Sequence, residues 1–196
     1  MSDHSDAEII LQVQAGSLEA LGVLYDRHRQ LVYRTVLAIT GDPEVASDLL
    51  QDVFLRLYRF IDRVDTSRPL EPWLYRMSTN LAYTWVKRNN HWLRPLDEMA
   101  EWLSGSSKST PHEMVERKDE WDQIQAALSS LSLSQRVVVV LYYLNDLSLQ
   151  EISEILEIPV GTVKSRLHYG RQTLKKKLGV RGLTDVDQLP DFKYEG

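Results

Sequence analysis

The chain has no cysteine among its 196 residues. Disulfide scaffolds and thiolate metal centres are therefore excluded. No apolar run approaches the roughly 18 residues needed to cross a bilayer. The first ten residues, MSDHSDAEII, are polar and acidic, which does not fit a secretory leader. No membrane insertion and a cytoplasmic location are the expectation. The five histidines, at 4, 28, 91, 112 and 168, are scattered without metal-ligand spacing, and no nucleophile motif or phosphate-cradling loop occurs. An enzyme is disfavoured on these grounds, and no cofactor or metal is expected. An excess of positive charge is also missing, since the formal net charge is −5.

What is present is charge segregated by position. From Pro159 to Leu183 there are seven Lys or Arg and no acid, whereas Asp42 to Asp52 holds four acids and no base. Local field governs the choice of partner more than net charge does. The basic stretch points to nucleic acid and the acidic one to a second partner, a protein. With 43% hydrophobic and 26% charged residues the chain is an ordinary globular one.

The periodicity is helical throughout. Ser5 and Glu8 form a capping box that opens a short helix ended by Gly16, and Ser17 caps a longer one. Leu21, Leu24, Tyr25, His28, Leu31, Val32 and Val36 recur along it at helical spacing. Asp42 and Pro43 start the next helix as N-cap and first residue, with Val45, Leu49, Val53, Leu57 and Ile61 facing inward. After a polar connection at 62–69, Leu70, Trp73, Leu74, Met77, Leu81 and Trp85 share the inner face of another helix; this phase puts Trp73 in the core. Residues 93–110 read as a linker, ending in the Gly- and Ser-rich GSSKSTP. Its surroundings are acidic, with eight acids against four bases from Arg94 to Asp122. A capping box at Thr110 and Glu113 restarts helix. Val137 to Tyr143 favours a strand on propensity, but its helical neighbours leave a strand unpaired, and helix is expected. Residues 179–196 form a loose tail.

The most informative stretch is 147–178, LSLQEISEILEIPVGTVKSRLHYGRQTLKKKL. Ser148 and Glu151 cap a helix whose inner stripe is Leu149, Ile152, Ile155 and Leu156. Glu157-Ile158-Pro159 makes the turn. A second helix follows with Val163, Leu167, Leu174 and Leu178 inside. Thr162, Lys164, Ser165, Arg166, His168, Tyr169 and Arg171 are left facing outward or flanking, a set of donors and acceptors suited to base edges and phosphates. This is the layout of a helix-turn-helix, at about 149–168, that reads the DNA major groove.

The string IPVGTVKSRLHYGRQTL resembles region 4 of the extracytoplasmic-function (ECF) group of the sigma-70 family. DLLQDVFLRLYRFIDR, with RPLEPWLYRMSTNLAYTWVKR after it, is similar to region 2 of the same group. Two motif blocks in order cover roughly residues 6 to 178. The resemblance implies an all-α protein of two small helical domains: region 2 at 6–92, the linker at 93–110, region 4 at 111–178 and the tail at 179–196. It implies binding to core RNA polymerase through the clamp coiled coil and the flap, recognition of double-stranded −35 and single-stranded −10 promoter DNA, promoter melting, and control by an anti-sigma factor.

Residue by residue, the resemblance assigns Lys164, Ser165 and His168 to the major groove and makes Arg166 and Arg171 phosphate contacts or salt-bridge partners. Tyr169 stands where a basic residue is common. In region 2, Asp48, Gln51, Asp52 and Arg56 would present a polar face to polymerase. Phe54 is either an apolar anchor for it or a widening of the core stripe. On the last region 2 helix, Arg76, Asn80, Tyr83 and Lys87 share one stripe, which offers phosphate neutralisation, an edge reader and a stacking plane for single-stranded DNA. The loop before it, with Arg63, Asp65 and Arg68, is where the resemblance puts capture of an extruded base. The alternative is a helix-turn-helix regulator that does not replace a sigma factor, and it would not carry the region 2 block.

Overall fold

The computed structural model describes residues 4–89 and 123–178. The linker at 93–110, the capping box at Thr110 and Glu113, and the tail at 179–196 lie outside the described residues. Among those described, every regular element is helical: α1 (Asp6–Gln14), α2 (Leu18–Thr40), α3 (Pro43–Arg59), α4 (Glu71–Asn89), α5 (Leu133–Tyr143), α6 (Leu149–Leu156) and α7 (Val160–Leu178). A 3-10 turn at Ile61–Arg63 follows α3, and residues 123–129 are helical before α5.

Local chemistry sets the boundaries. Ser5 and Glu8 exchange both bonds of a capping box at α1. Ser17 accepts from the Ala20 amide at α2. α2 ends at Gly41, whose φ of 71° is left-handed backbone that a side chain would strain. Asp42 then caps α3 by accepting from the Glu44 and Val45 amides, with Pro43 in the first turn. Ser132 and Gln135 form a capping box on α5 that is as clear in sequence as the three expected at Ser5, Thr110 and Ser148, yet was not among them.

The inward stripes pack as their spacing requires. α2, α3 and α4 contact one another, α1 lies on α2, and α5, α6 and α7 form a second group. Leu24, Val32, Val36, Leu49, Val53, Leu57 and Leu74 are buried in the first group, and Ile152, Val163 and Leu167 in the second. The two groups also touch, through α5 against α2 and α4, and through α6 against α4.

That contact explains the valine run. Residues 136–141 are all buried, because α5 has neighbours on several sides. A helix apolar all round belongs in such a position, and β-branching costs only tenths of a kcal/mol per residue there. α4 is a correction: its buried face is Leu74, Tyr75, Ser78, Thr79, Ala82 and Val86, while Trp73, Met77, Leu81 and Trp85 of the expected stripe pack half-buried against the core, and Trp73 also lines a cleft.

Candidate nucleic-acid interface

α6 and α7 make the helix-turn-helix. Ser148 accepts from the Glu151 amide while the Glu151 carboxylate accepts from the Ser148 amide and hydroxyl. Those bonds, the one from the Ser148 side chain foremost, hold the Glu151 carboxyl below its usual range. α6 stops at Glu157, which takes the left-handed conformation with φ 54°. Ser153 ties the turn by donating to the Ile158 carbonyl at 2.6 Å. Pro159 precedes α7, and its carbonyl accepts from the Thr162 and Val163 amides.

Gly170 sets how closely α7 approaches α5. A Cβ built there would lie 2.8 Å from Val139 Cγ2. Gly170 thus completes the inner stripe of Val163, Leu167 and Leu174, a position that apolar patterning alone passes over.

Opposite that stripe, Lys164, Ser165, His168 and Tyr169 are exposed, Tyr169 at 57%. Thr162 and Arg166 are half-buried. The Gln172 amide lies 2.9 Å from His168 Nε2 and can only donate to it, so that ring nitrogen accepts. The Tyr169 ring stands edge-on to the imidazole.

Arg171 makes a contact that its sequence position does not announce. Its guanidinium lies over the rings of Tyr142 and Tyr143, at 5.1 and 5.3 Å from their centroids. Cation–π contact and a half-buried side chain make it a fastening between α7 and α5.

On α3, Asp48, Gln51, Asp52 and Arg56 are exposed as a polar face. Phe54 is not on that face. It is 5% exposed and its ring stands edge-on to Tyr25, 5.0 Å away. Of its two readings the structure takes the core one. Leu55, 64% exposed, lies among the four polar residues instead. The sequence signal for it was available: Leu55 falls seven residues after Asp48 and out of phase with the inward stripe.

On α4, Asn80, Tyr83 and Lys87 are exposed, Tyr83 at 39%. Arg76 shares their stripe but is engaged elsewhere. It donates to the carbonyls of Ile155 at 3.3 Å and Glu154 at 3.1 Å, and pairs with the Glu157 carboxylate at 2.7 Å.

In the loop before α4, Asp65 accepts from the Ser67 amide and hydroxyl and pairs with Arg68 at 3.3 Å. The Ser67 bonds hold its carboxyl below the usual range. Asp65 therefore shapes the loop. The Arg63 guanidinium lies over the Phe60 ring. Arg63, Asp65, Arg68, Trp73 and Arg76 line one wall of a cleft of about 430 Å³, and Glu151, Glu154 and Ile155 of α6 line the other.

Asp6, His28 and Glu71 bring three possible ligand atoms within 4.8 Å of one another. Asp6 is paired with both Arg27 and His28, and a cation already at its carboxylate disfavours a second. The trio reads as a joint between α1, α2 and α4.

The family model for Sigma-70 region 2 matches residues 24–91, and that for Sigma-70, region 4 matches residues 121–174. The chain is 35% identical over 176 residues to the ECF RNA polymerase sigma factor SigW of Bacillus subtilis (strain 168), covering 86% of this chain and 94% of that protein. To SigM of the same organism, also described as an ECF RNA polymerase sigma factor, it is 32% identical over 162 residues, covering 83% and 96%. Its backbone is similar to that of CnrH in complex with the cytosolic domain of CnrY, with a TM-score of 0.62 at 21% identity, covering 89% of this chain and 97% of CnrH. It is also similar to the sigma factor RpoE from Bartonella quintana in complex with the anti-sigma factor NepR, with a TM-score of 0.63 at 18% identity, covering 84% and 99%. At those identities the two solved structures bear on the fold alone.

Proposed function

The chain belongs to the ECF group of the sigma-70 family, and from that premise we propose how its residues share the work of promoter recognition. It is an RNA polymerase sigma factor: it binds core polymerase, recognises promoter DNA and promotes opening at initiation. Bond formation belongs to the polymerase. No helix among the described residues is long and apolar enough to cross a membrane, and we assign the protein to the cytoplasm, where its polymerase works.

Residues 6–92 act as region 2 and 111–178 as region 4. The observation that carries the assignment is the exposed strip of Lys164, Ser165 and His168 on the second helix of a well-capped helix-turn-helix. These three read base edges of the −35 element, with Thr162, Arg166 and Tyr169 beside them. Aromatic Tyr169 offers stacking or methyl contact in place of a charge, which alters base preference.

Asn80, Tyr83 and Lys87 engage the single-stranded −10 element, joined by Arg76 once it leaves α6. Arg63 and Arg68 neutralise phosphates beside the cleft. Half-buried Trp73 supplies a stacking plane there.

Polymerase docks on the α3 face of Asp48, Gln51, Asp52 and Arg56. Leu55 takes the anchor role, because an exposed apolar side chain ringed by polar ones has the form of a binding hot spot. The clamp coiled coil is the partner there, and the flap is the partner of region 4. An anti-sigma factor completes the set.

The test is transcription in vitro with a cognate purified core over a random promoter library. Specific starts carrying two spaced elements are expected. No specific initiation with an active core would overturn the assignment.

A further inference from the structure

We infer that Gln172 is a positioning residue for −35 recognition: it fixes the proton of His168 on Nδ1, so that His168 reads a hydrogen-bond acceptor on a base edge and refuses cytosine. This deepens the assignment of Lys164, Ser165 and His168 to −35 DNA and rests on it.

The polarity follows from one bond. Gln172 stands one turn beyond His168 on the same face of α7, and both side chains are exposed. The Gln172 amide nitrogen lies 2.9 Å from His168 Nε2. An amide nitrogen has only donors, so Nε2 accepts. A neutral imidazole has one proton for its two nitrogens, and with Nε2 accepting, that proton sits on Nδ1. Nδ1 has no hydrogen-bond partner among the described residues. The same bond keeps the ring from turning over about χ2, a torsion that is otherwise broad. The Tyr169 ring, edge-on with centroids 5.4 Å apart, abuts the imidazole from the next position. His168 therefore offers the groove one donor, at one place.

Base edges sort against such a donor. In the major groove guanine presents N7 and O6, adenine N7 and thymine O4 as acceptors, whereas cytosine presents its N4 amine, a donor. Cytosine at Nδ1–H would set two desolvated donors against each other. An unpaired buried donor costs enough to lower affinity about tenfold. Ser165 has the opposite polarity. Its hydroxyl donates to the Thr162 carbonyl at 3.0 Å, which leaves lone pairs for a base amine. Cytosine is thus admitted at Ser165 and refused at His168, one turn apart on one helix.

The test uses the full chain with cognate core at about pH 8, where an imidazole is neutral. Open complexes form on a promoter library randomised in the −35 element, and the retained promoters are sequenced. His168→Ala and Ser165→Ala mark the position that each residue reads, and far-UV circular dichroism checks the fold of every variant. At the His168 position the wild type should deplete cytosine about tenfold. Gln172→Leu cannot donate, so the ring accepts through either nitrogen and the depletion should vanish. Gln172→Lys, whose ammonium only donates, should keep it. A ratio of bases at one position cancels any uniform change in affinity.

Depletion that survives Gln172→Leu, or that Gln172→Lys loses, would overturn the positioning role. So would a changed preference at the Ser165 position in Gln172→Leu, which would mark a general loosening. Cytosine enriched at the His168 position of the wild type would overturn the donor polarity, and no position altered by His168→Ala would overturn the reading by His168. A wild-type chain that forms no specific open complexes with active core would overturn the −35 assignment itself, and this inference with it.

Discussion

Arg136→Met is the sharpest test of how the two halves are held. Arg136 is 2% exposed, and burial pushes its guanidinium pKa down to about 10, so it stays charged at neutral pH. It donates to the carbonyls of Ile39 at 2.7 Å and Leu128 at 3.0 Å, with longer contacts to Ser129 and Leu131. The Ile39 bond has a clear origin. The carbonyl of Ile39 would accept from the amide four residues on, and that residue is Pro43, which has none. Arg136 fills the gap from the other half of the molecule.

The two short bonds are charge-assisted and worth about 1.5–3 kcal/mol each. Removing a buried guanidinium also removes its desolvation penalty, which offsets part of that sum. Leu128 keeps the Leu131 amide as a donor, so the Ile39 carbonyl carries most of the loss. Methionine retains apolar volume, and the expected net cost is about 2–4 kcal/mol. For a chain of this size that lowers Tm by roughly 5–12 °C. Urea denaturation followed by circular dichroism measures it. Arg136→Lys, with one head group for several carbonyls, should fall between. A loss below about 0.5 kcal/mol for Arg136→Met would refute the reasoning, since it would equal an ordinary surface change.

Other changes probe other parts. Gly170→Ala pushes a methyl to within 2.8 Å of Val139 Cγ2 and should destabilise by about 1–3 kcal/mol; Val139→Ala in the same chain should recover part of that in the same denaturation assay. Leu55→Asp, at a 64% exposed site, should leave Tm within about 1 °C and weaken capture by core polymerase about tenfold or more, as hot-spot truncations do. On acidification the lowered carboxyls of Glu8, Asp65 and Glu151 set the sign. A depressed folded pKa contributes stability that is full above the unfolded value of about 4 to 4.5. It is lost as pH falls through the folded values, so Tm should drop below pH 4.5. In Ser148→Ala the Glu151 share of that drop should shrink, since the backbone amide at 148 still donates to the carboxylate after the hydroxyl is gone, with a cap loss of about 1 kcal/mol at pH 7.

Much of this was legible in sequence because helices announce themselves locally. Caps at Ser5, Ser17, Asp42 and Ser148 gave the order of the elements, and the 3.6-residue stripes gave their inward faces except on α4, where the buried face turns towards Tyr75, Ser78, Thr79, Ala82 and Val86. The exposed strip at 164, 165, 168 and 169 followed from the same phase. What could not be read was tertiary. Arg171 and Arg76 look like free cations on helical stripes. Only packing shows that one is taken up by two tyrosines and the other by the end of α6. Phe54 illustrates the limit of phase itself. It neighbours Val53 on the helix, and whether the core stripe is wide enough to include it depends on Tyr25 arriving from α2.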